Sequence, residues 1–94
     1  MKYTVRLLPG ADADLIRLPA FLNVKSVEAA GRAKAAILAG IDSLRELPQR
    51  GRPAPRGGYR ELVVPFGRDA YVLRYRIVGD EVIVIAIRHS RERR

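Results

Sequence analysis

"AYVLRYRIVGDEVIVIAIRH", residues 70–89, decides the fold. Tyr71, Leu73, Tyr75 and Ile77 alternate with Val72, Arg74 and Arg76, the period of two that sends one set of side chains to each face of a strand. The face bearing the tyrosines is the core face. Gly79-Asp80 follows, a two-residue turn in which glycine takes the positive φ that tight hairpins need. Residues 82–87 are then apolar throughout. They read as a central strand, with Ile83, Ile85 and Ile87 toward the helices and Val82, Val84 and Ala86 toward a shallower surface. Just upstream, "YRELVVP" (59–65) reads as a further strand, so three strands joined by short turns form an antiparallel meander.

Outward from the meander, "PQRGRPAPRGG" (48–58) has three Pro, three Gly and no hydrophobic period, and reads as a loop carrying Arg50, Arg52 and Arg56. Three Arg in seven residues suit phosphate contacts as well as they suit a solvated connection. Before it, residues 27–47 read as a helix. Ser26 is the N-cap, Glu28 complements the positive end of the helix dipole, and Pro48 marks the exit. Val27, Ala30, Ala33, Ile37, Ile41 and Leu44 form its apolar face, and the small residues Ala29, Ala30, Ala33, Ala35 and Ala36 allow close approach of a partner element. Ala11, Leu15, Leu18 and Leu22 mark an earlier helix, with Pro9 tolerated in its first turn and Pro19 expected to stop or kink it. "YTVRLL" (3–8) opens the chain as a short strand at the side of the sheet. The expected fold is α+β, in the order β-α-α-β-β-β, with two N-terminal helices packed on a small, mainly antiparallel sheet.

A chain of 94 residues suits one domain spanning residues 1–94. It has no Cys and one His, so thiolate chemistry is excluded and no metal site or cofactor is expected. Asp12 and Asp14 interrupt the stretch where a signal peptide needs its apolar centre, and no apolar run approaches the roughly 20 residues that span a bilayer. A cytoplasmic protein without a membrane partner is the expectation. The net charge of +8 is uneven, +2 over residues 1–47 and +6 over residues 48–94, and all eleven cations of the second half are Arg. Arg offers a planar fork of donors to phosphate or carboxylate, which points to an anionic partner, nucleic acid or an acidic protein segment.

Taken in order, "ADADLIRL", "LRELPQRGRP", "GYREL", "YVLRYRI" and "VIVIAIRHSRE" give the chain a resemblance to the RelE/ParE superfamily of toxins from type II toxin-antitoxin systems. The resemblance covers nearly the whole sequence. It implies a growth-inhibiting prokaryotic toxin held silent by an acidic antitoxin encoded beside it, with operator DNA bound only through the antitoxin. ParE-like members act on DNA gyrase and are not nucleases; RelE-like members enter the ribosome and cleave mRNA. "IRHSRERR" is closer to ParE-like chains.

Cleaving RNA without a metal requires a base for the 2′-OH, an acid for the leaving oxygen and cations around the phosphorane. Arg60, Arg74, Arg76 and Arg88 suit the last role, and His89, alone or with Glu61, is the candidate for proton transfer. RelE-like enzymes use a C-terminal Tyr, whereas no Tyr follows Tyr75 here and His89 is followed by Ser90. The same residues with Arg91 are equally a target-binding surface. Glu61 also reads as a cross-strand partner for Arg, and residues 88–94 as a basic tail. A nucleic-acid-binding module is disfavoured because Tyr71 and Tyr75 fall on the core face and leave no exposed stacking platform.

Overall fold

A computed structural model describes residues 2–92. Arg93 and Arg94, part of the expected basic tail, lie outside the described residues. The chain runs β1 (Thr4–Leu7), α1 (Pro9–Asn23), α2 (Val27–Ser43), β2 (Arg52–Pro53), β3 (Arg60–Phe66), β4 (Asp69–Val78) and β5 (Glu81–His89). The sheet order is β1-β5-β4-β3-β2. β1 runs parallel to β5 and the other pairings are antiparallel, so the helical hairpin between β1 and the meander packs on one face of the sheet. The expected α+β architecture is the one observed. β2 is an addition: two residues of the basic loop pair with β3 through Arg52↔Glu61 and Pro53↔Arg60, an edge position where proline is tolerated.

Helix ends follow local chemistry. The Ser26 hydroxyl accepts from the Ala29 amide at 3.1 Å, the N-cap bond that its sequence position suggests. α2 ends at Ser43, short of Pro48, and residues 44–47 continue as turns whose amides reach back mostly three residues. Its core face begins later than the sequence suggests: Ala33, Ile37, Ile41 and Leu44 are buried, whereas Val27, at the tip of the hairpin, is 70 % exposed. α1 passes through Pro19 without ending. Leu18 and Leu22 pack into or against the core on either side of it, and that anchorage outweighs the hydrogen bond a proline removes. Gly40 lies buried where α2 crosses the sheet, and a Cβ there would stand 2.7 Å from Val64 Cγ2.

The most consequential difference lies in β5. Leu73 pairs with Ile87 and Arg74 with Ala86, but Tyr75 pairs with Val84, so Ile85 is an extra residue, a β-bulge. Simple alternation therefore fails along this strand. Val82 and Val84 join the core with Ile87, each fully buried, while Ile83 and Ile85 are only half-buried. The expected inward set of Ile83, Ile85 and Ile87 is correct only at Ile87, because one inserted residue exchanges the faces of everything on one side of it.

Candidate functional site

The bulge fixes where the end of β5 points. Arg88 pairs with Val72 and shares the helix-free face with Arg74; His89 pairs with Tyr71 and shares the helix side with the core. The sequence candidates thus divide into two sites.

On the open face, Glu61 of β3 is 6 % exposed and sits among three guanidinium groups. Arg74 donates to Glu61 Oε2 at 2.9 and 3.3 Å, Arg88 lies at 4.0 Å from the same oxygen, and Arg52 of β2 lies at 3.8 Å from Oε1. Glu61 is thus the cross-strand partner of Arg74, and the four groups together carry a charge of +2. Val72 and Ala86 join Arg74 and Arg88 around a shallow depression. Next along, Arg76 lies over the Tyr59 ring at 4.8 Å and Arg74 at 5.9 Å, a cation–π stack that aligns both cations. Tyr59 was not among the sequence candidates. The available signal was register, since β3 pairs Arg60 with Tyr75 and so brings Tyr59 beside Arg76.

Arg60 belongs to neither a phosphate cluster nor this face. It pairs with Tyr75 on the helix side and donates to the carbonyls of Gly51 at 2.8 Å and Gln49 at 3.3 Å. Tyr75 completes the same anchor, its hydroxyl donating to the Pro48 carbonyl at 2.5 Å and accepting from the Gly51 amide at 3.0 Å. Burial raises the Tyr75 phenol above its ordinary range. A Cβ at Gly51 would fall 2.2 Å from that hydroxyl, so the close approach requires glycine. Arg60 and Tyr75 thereby hold the start of the basic loop, on which Arg50, Arg52 and Arg56 are exposed.

The second site lies on the helix side, where α1 meets the far end of the sheet. A groove of about 640 Å³ runs between them, with Leu18, Phe21, Leu22, Phe66 and Tyr71 as its apolar wall. Phe21 is 84 % exposed. Charged side chains line one end. Arg17 donates to Asp14 at 2.9 Å and, as a fork, to Glu92 at 2.7 and 3.3 Å, which raises its already high pKa, the Glu92 bonds contributing most. Asp14, buried, also accepts the Ile87 amide at 2.8 Å, so α1 covers the part of β5 beyond its pairing with β1. Arg91 donates to Asp69 at 3.0 Å. His89 Nδ1 accepts the Arg91 amide at 3.1 Å, Nε2 lies 3.9 Å from Asp69, and the ring meets Tyr71 edge-on at 5.5 Å. His89 therefore faces Asp69 and not Glu61, which is on the opposite face; the candidate His89–Glu61 proton-transfer pair does not form, and Glu61 instead takes Arg74 as its cross-strand partner. Arg17, Asp14 and Glu92 had no place in the sequence reading of the site, because the contacts that tie Arg17 to Glu92 and Asp14 to Ile87 span more than seventy residues.

Two helices lie on one face of a five-stranded, mostly antiparallel sheet, and the face bearing Arg74 and Arg88 is left open. A family model described as the ParE toxin of the type II toxin-antitoxin system parDE matches residues 5–94, and the chain belongs to this family, within the RelE/ParE superfamily. It is 40 % identical over 94 residues to Toxin RelE1 of Caulobacter vibrioides, covering all of both chains. To Toxin RelE3 of the same organism it is 41 % identical over 91 residues, covering 97 % of this chain and 98 % of the relative. Among solved structures, a chain of the chromosomal ParDE system from P. aeruginosa superimposes with a TM-score of 0.79 at 23 % identity, over 94 % of this chain and 96 % of that one. A chain of the RelBE2 toxin-antitoxin complex from Mycobacterium tuberculosis gives 0.71 at 28 % identity, over 98 % and 95 %. The protein is a type II toxin-antitoxin toxin.

Proposed function

We propose that this toxin inhibits growth by poisoning DNA gyrase through protein contacts, without catalysis of its own, and that a cognate acidic antitoxin silences it. The observation that carries the first part is the division at the end of β5. Metal-free RNA cleavage needs a proton-transfer group among the cations that hold the phosphate, yet His89 faces the helix side while Arg74 and Arg88 face the other. Within the cation cluster the acidic group is Glu61, held by Arg74. Arg74, Arg76 and Arg88 then form a binding surface, which Arg52 of the basic loop joins at Glu61.

The antitoxin reading rests on the groove and on charge. An exposed apolar groove on a protein of charge +8 suits an acidic, amphipathic segment that orders on binding and associates rapidly. Operator DNA is then reached through the antitoxin. A gyrase partner places the toxin in the cytoplasm; among the described residues no helix is long and apolar enough to cross a membrane.

A ribosome-dependent mRNA endoribonuclease is the second reading, favoured by the Arg74–Tyr59–Arg76 stack, which offers a base a ring and a phosphate two cations. One experiment separates the two. Purified gyrase is assayed for supercoiling with toxin recovered from its antitoxin complex and shown by circular dichroism to be folded. Loss of supercoiling with accumulation of linear, gyrase-linked DNA is expected. Full supercoiling together with ribosome-dependent mRNA cleavage would replace the first reading by the second.

A further inference from the structure

Arg17 and Arg91 line the same groove, and each is ion-paired to a carboxylate of its own chain, Glu92 and Asp69 respectively. The two carboxylates differ in how they are held. Asp69 opens strand β4, whereas Glu92 stands three residues beyond β5, on a turn secured by its own acceptance of the His89 amide at 2.8 Å. Arg17 is 45 % exposed at its side chain and presents both terminal nitrogens to Glu92, the bidentate geometry with which guanidinium recognises carboxylate. Glu92 and the 84 % exposed ring of Phe21 line one groove, so a segment that buries apolar side chains against Phe21 brings its own acidic groups to the position Glu92 holds.

We propose that Glu92 is an internal competitor for the antitoxin: it occupies Arg17 in the free toxin and yields it to a carboxylate of the incoming acidic segment. The inference rests on the reading that the antitoxin docks in this groove. Exchanging one carboxylate for another on the same guanidinium conserves the strongest hydrogen bonds, so an acidic segment pays little for displacement. A neutral or basic apolar segment leaves Glu92 in place and gains no bond from Arg17, so the groove favours acidic segments. Asp14 remains on Arg17 throughout and keeps its fork directed at the groove.

Glu92→Gln is the informative variant, because its amide oxygen still accepts from the His89 amide while the charge is removed. The probe is the antitoxin of the adjoining reading frame, titrated calorimetrically into toxin recovered from the complex and shown by circular dichroism to be folded. Glu92→Gln is expected to bind about tenfold more tightly, since it removes the fraction of toxin in which Arg17 is occupied. In an Arg17→Ala background the same change should have no effect. Phe21→Asp, at an exposed position that folding does not depend on, tests the groove separately and should weaken binding about a hundredfold or more. If Phe21→Asp weakens binding but Glu92→Gln is neutral or weaker, the competitor role is overturned while the groove stands. If Phe21→Asp binds as the parent does, the groove reading falls and the competitor role with it.

Discussion

Arg88 and His89 are neighbours in the chain and belong to different regions of the molecule. Arg88 joins an open face on which arginines from three strands surround one carboxylate. His89 joins a corner where acidic and basic side chains of α1, β4 and the C-terminal turn are paired, beside an apolar groove. The open face retains positive charge after its internal pairings and suits an anionic or acidic target surface. The groove corner has an exposed apolar wall and sets two guanidinium groups, Arg17 and Arg91, against three carboxylates, Asp14, Asp69 and Glu92, so an acidic partner docks there by taking an arginine over from one of them. Separate surfaces let a toxin meet target and antitoxin with different residues, and the two regions should respond differently to substitution.

The largest effect on stability is expected in the groove corner, where a buried carboxylate ties a helix to a strand. Asp14→Ala removes the acceptor of the Ile87 amide and one partner of Arg17, and should cost about 2–3 kcal/mol in chemical denaturation, with faster hydrogen exchange at Ile87. An unchanged midpoint would mean that α1 is held by its apolar stripe alone. On the open face, Glu61→Gln should cost only about 1 kcal/mol, because Arg52 is exposed and Arg74 partly so, and water screens the charges left behind. A cost as large as that of Asp14→Ala would erase the distinction between a structural corner and a surface built for contact.

Arg76→Glu reverses a charge that stacks on Tyr59, and the expected outcome is about a tenfold loss of gyrase inhibition with antitoxin affinity retained. Loss of both would place target and antitoxin on one surface. His89→Ala should change stability by less than about 0.5 kcal/mol and leave gyrase inhibition in place. A large loss of ribosome-dependent mRNA cleavage in that variant would make His89 catalytic. The smallest effect at neutral pH comes from Tyr71 and Tyr75, whose phenols burial raises above their ordinary value of 10. The unfolded chain ionises first, so the stability they contribute is complete below about pH 10 and lost as pH rises through the folded values. Denaturation curves between pH 9 and 11, in about half-unit steps, should show that decline, and Tyr75→Phe should reduce it.

Local periodicity made part of the molecule legible from the chain alone. The alternation around Tyr71–Leu73–Tyr75, the Gly79 turn, the Ser26 cap and the three- and four-residue spacings of Ala33, Ile37, Ile41 and Leu44 each depend on a few neighbours, and each appears in the structure. The facing of Arg74 and Arg76 away from the helices was legible for the same reason. Which candidates meet depends instead on packing between distant segments. The bulge at Ile85 depends on pairing between strands, and it set the inward residues of β5 and decided which of Arg88 and His89 faces the helices. β2, the separation of Arg60 from Arg74 and the Arg17–Asp14–Glu92 network likewise depend on contacts between distant segments. A periodic pattern says that a strand has two faces; a single residue's shift in register decides which face a side chain takes, and that shift is fixed by packing across the whole sheet.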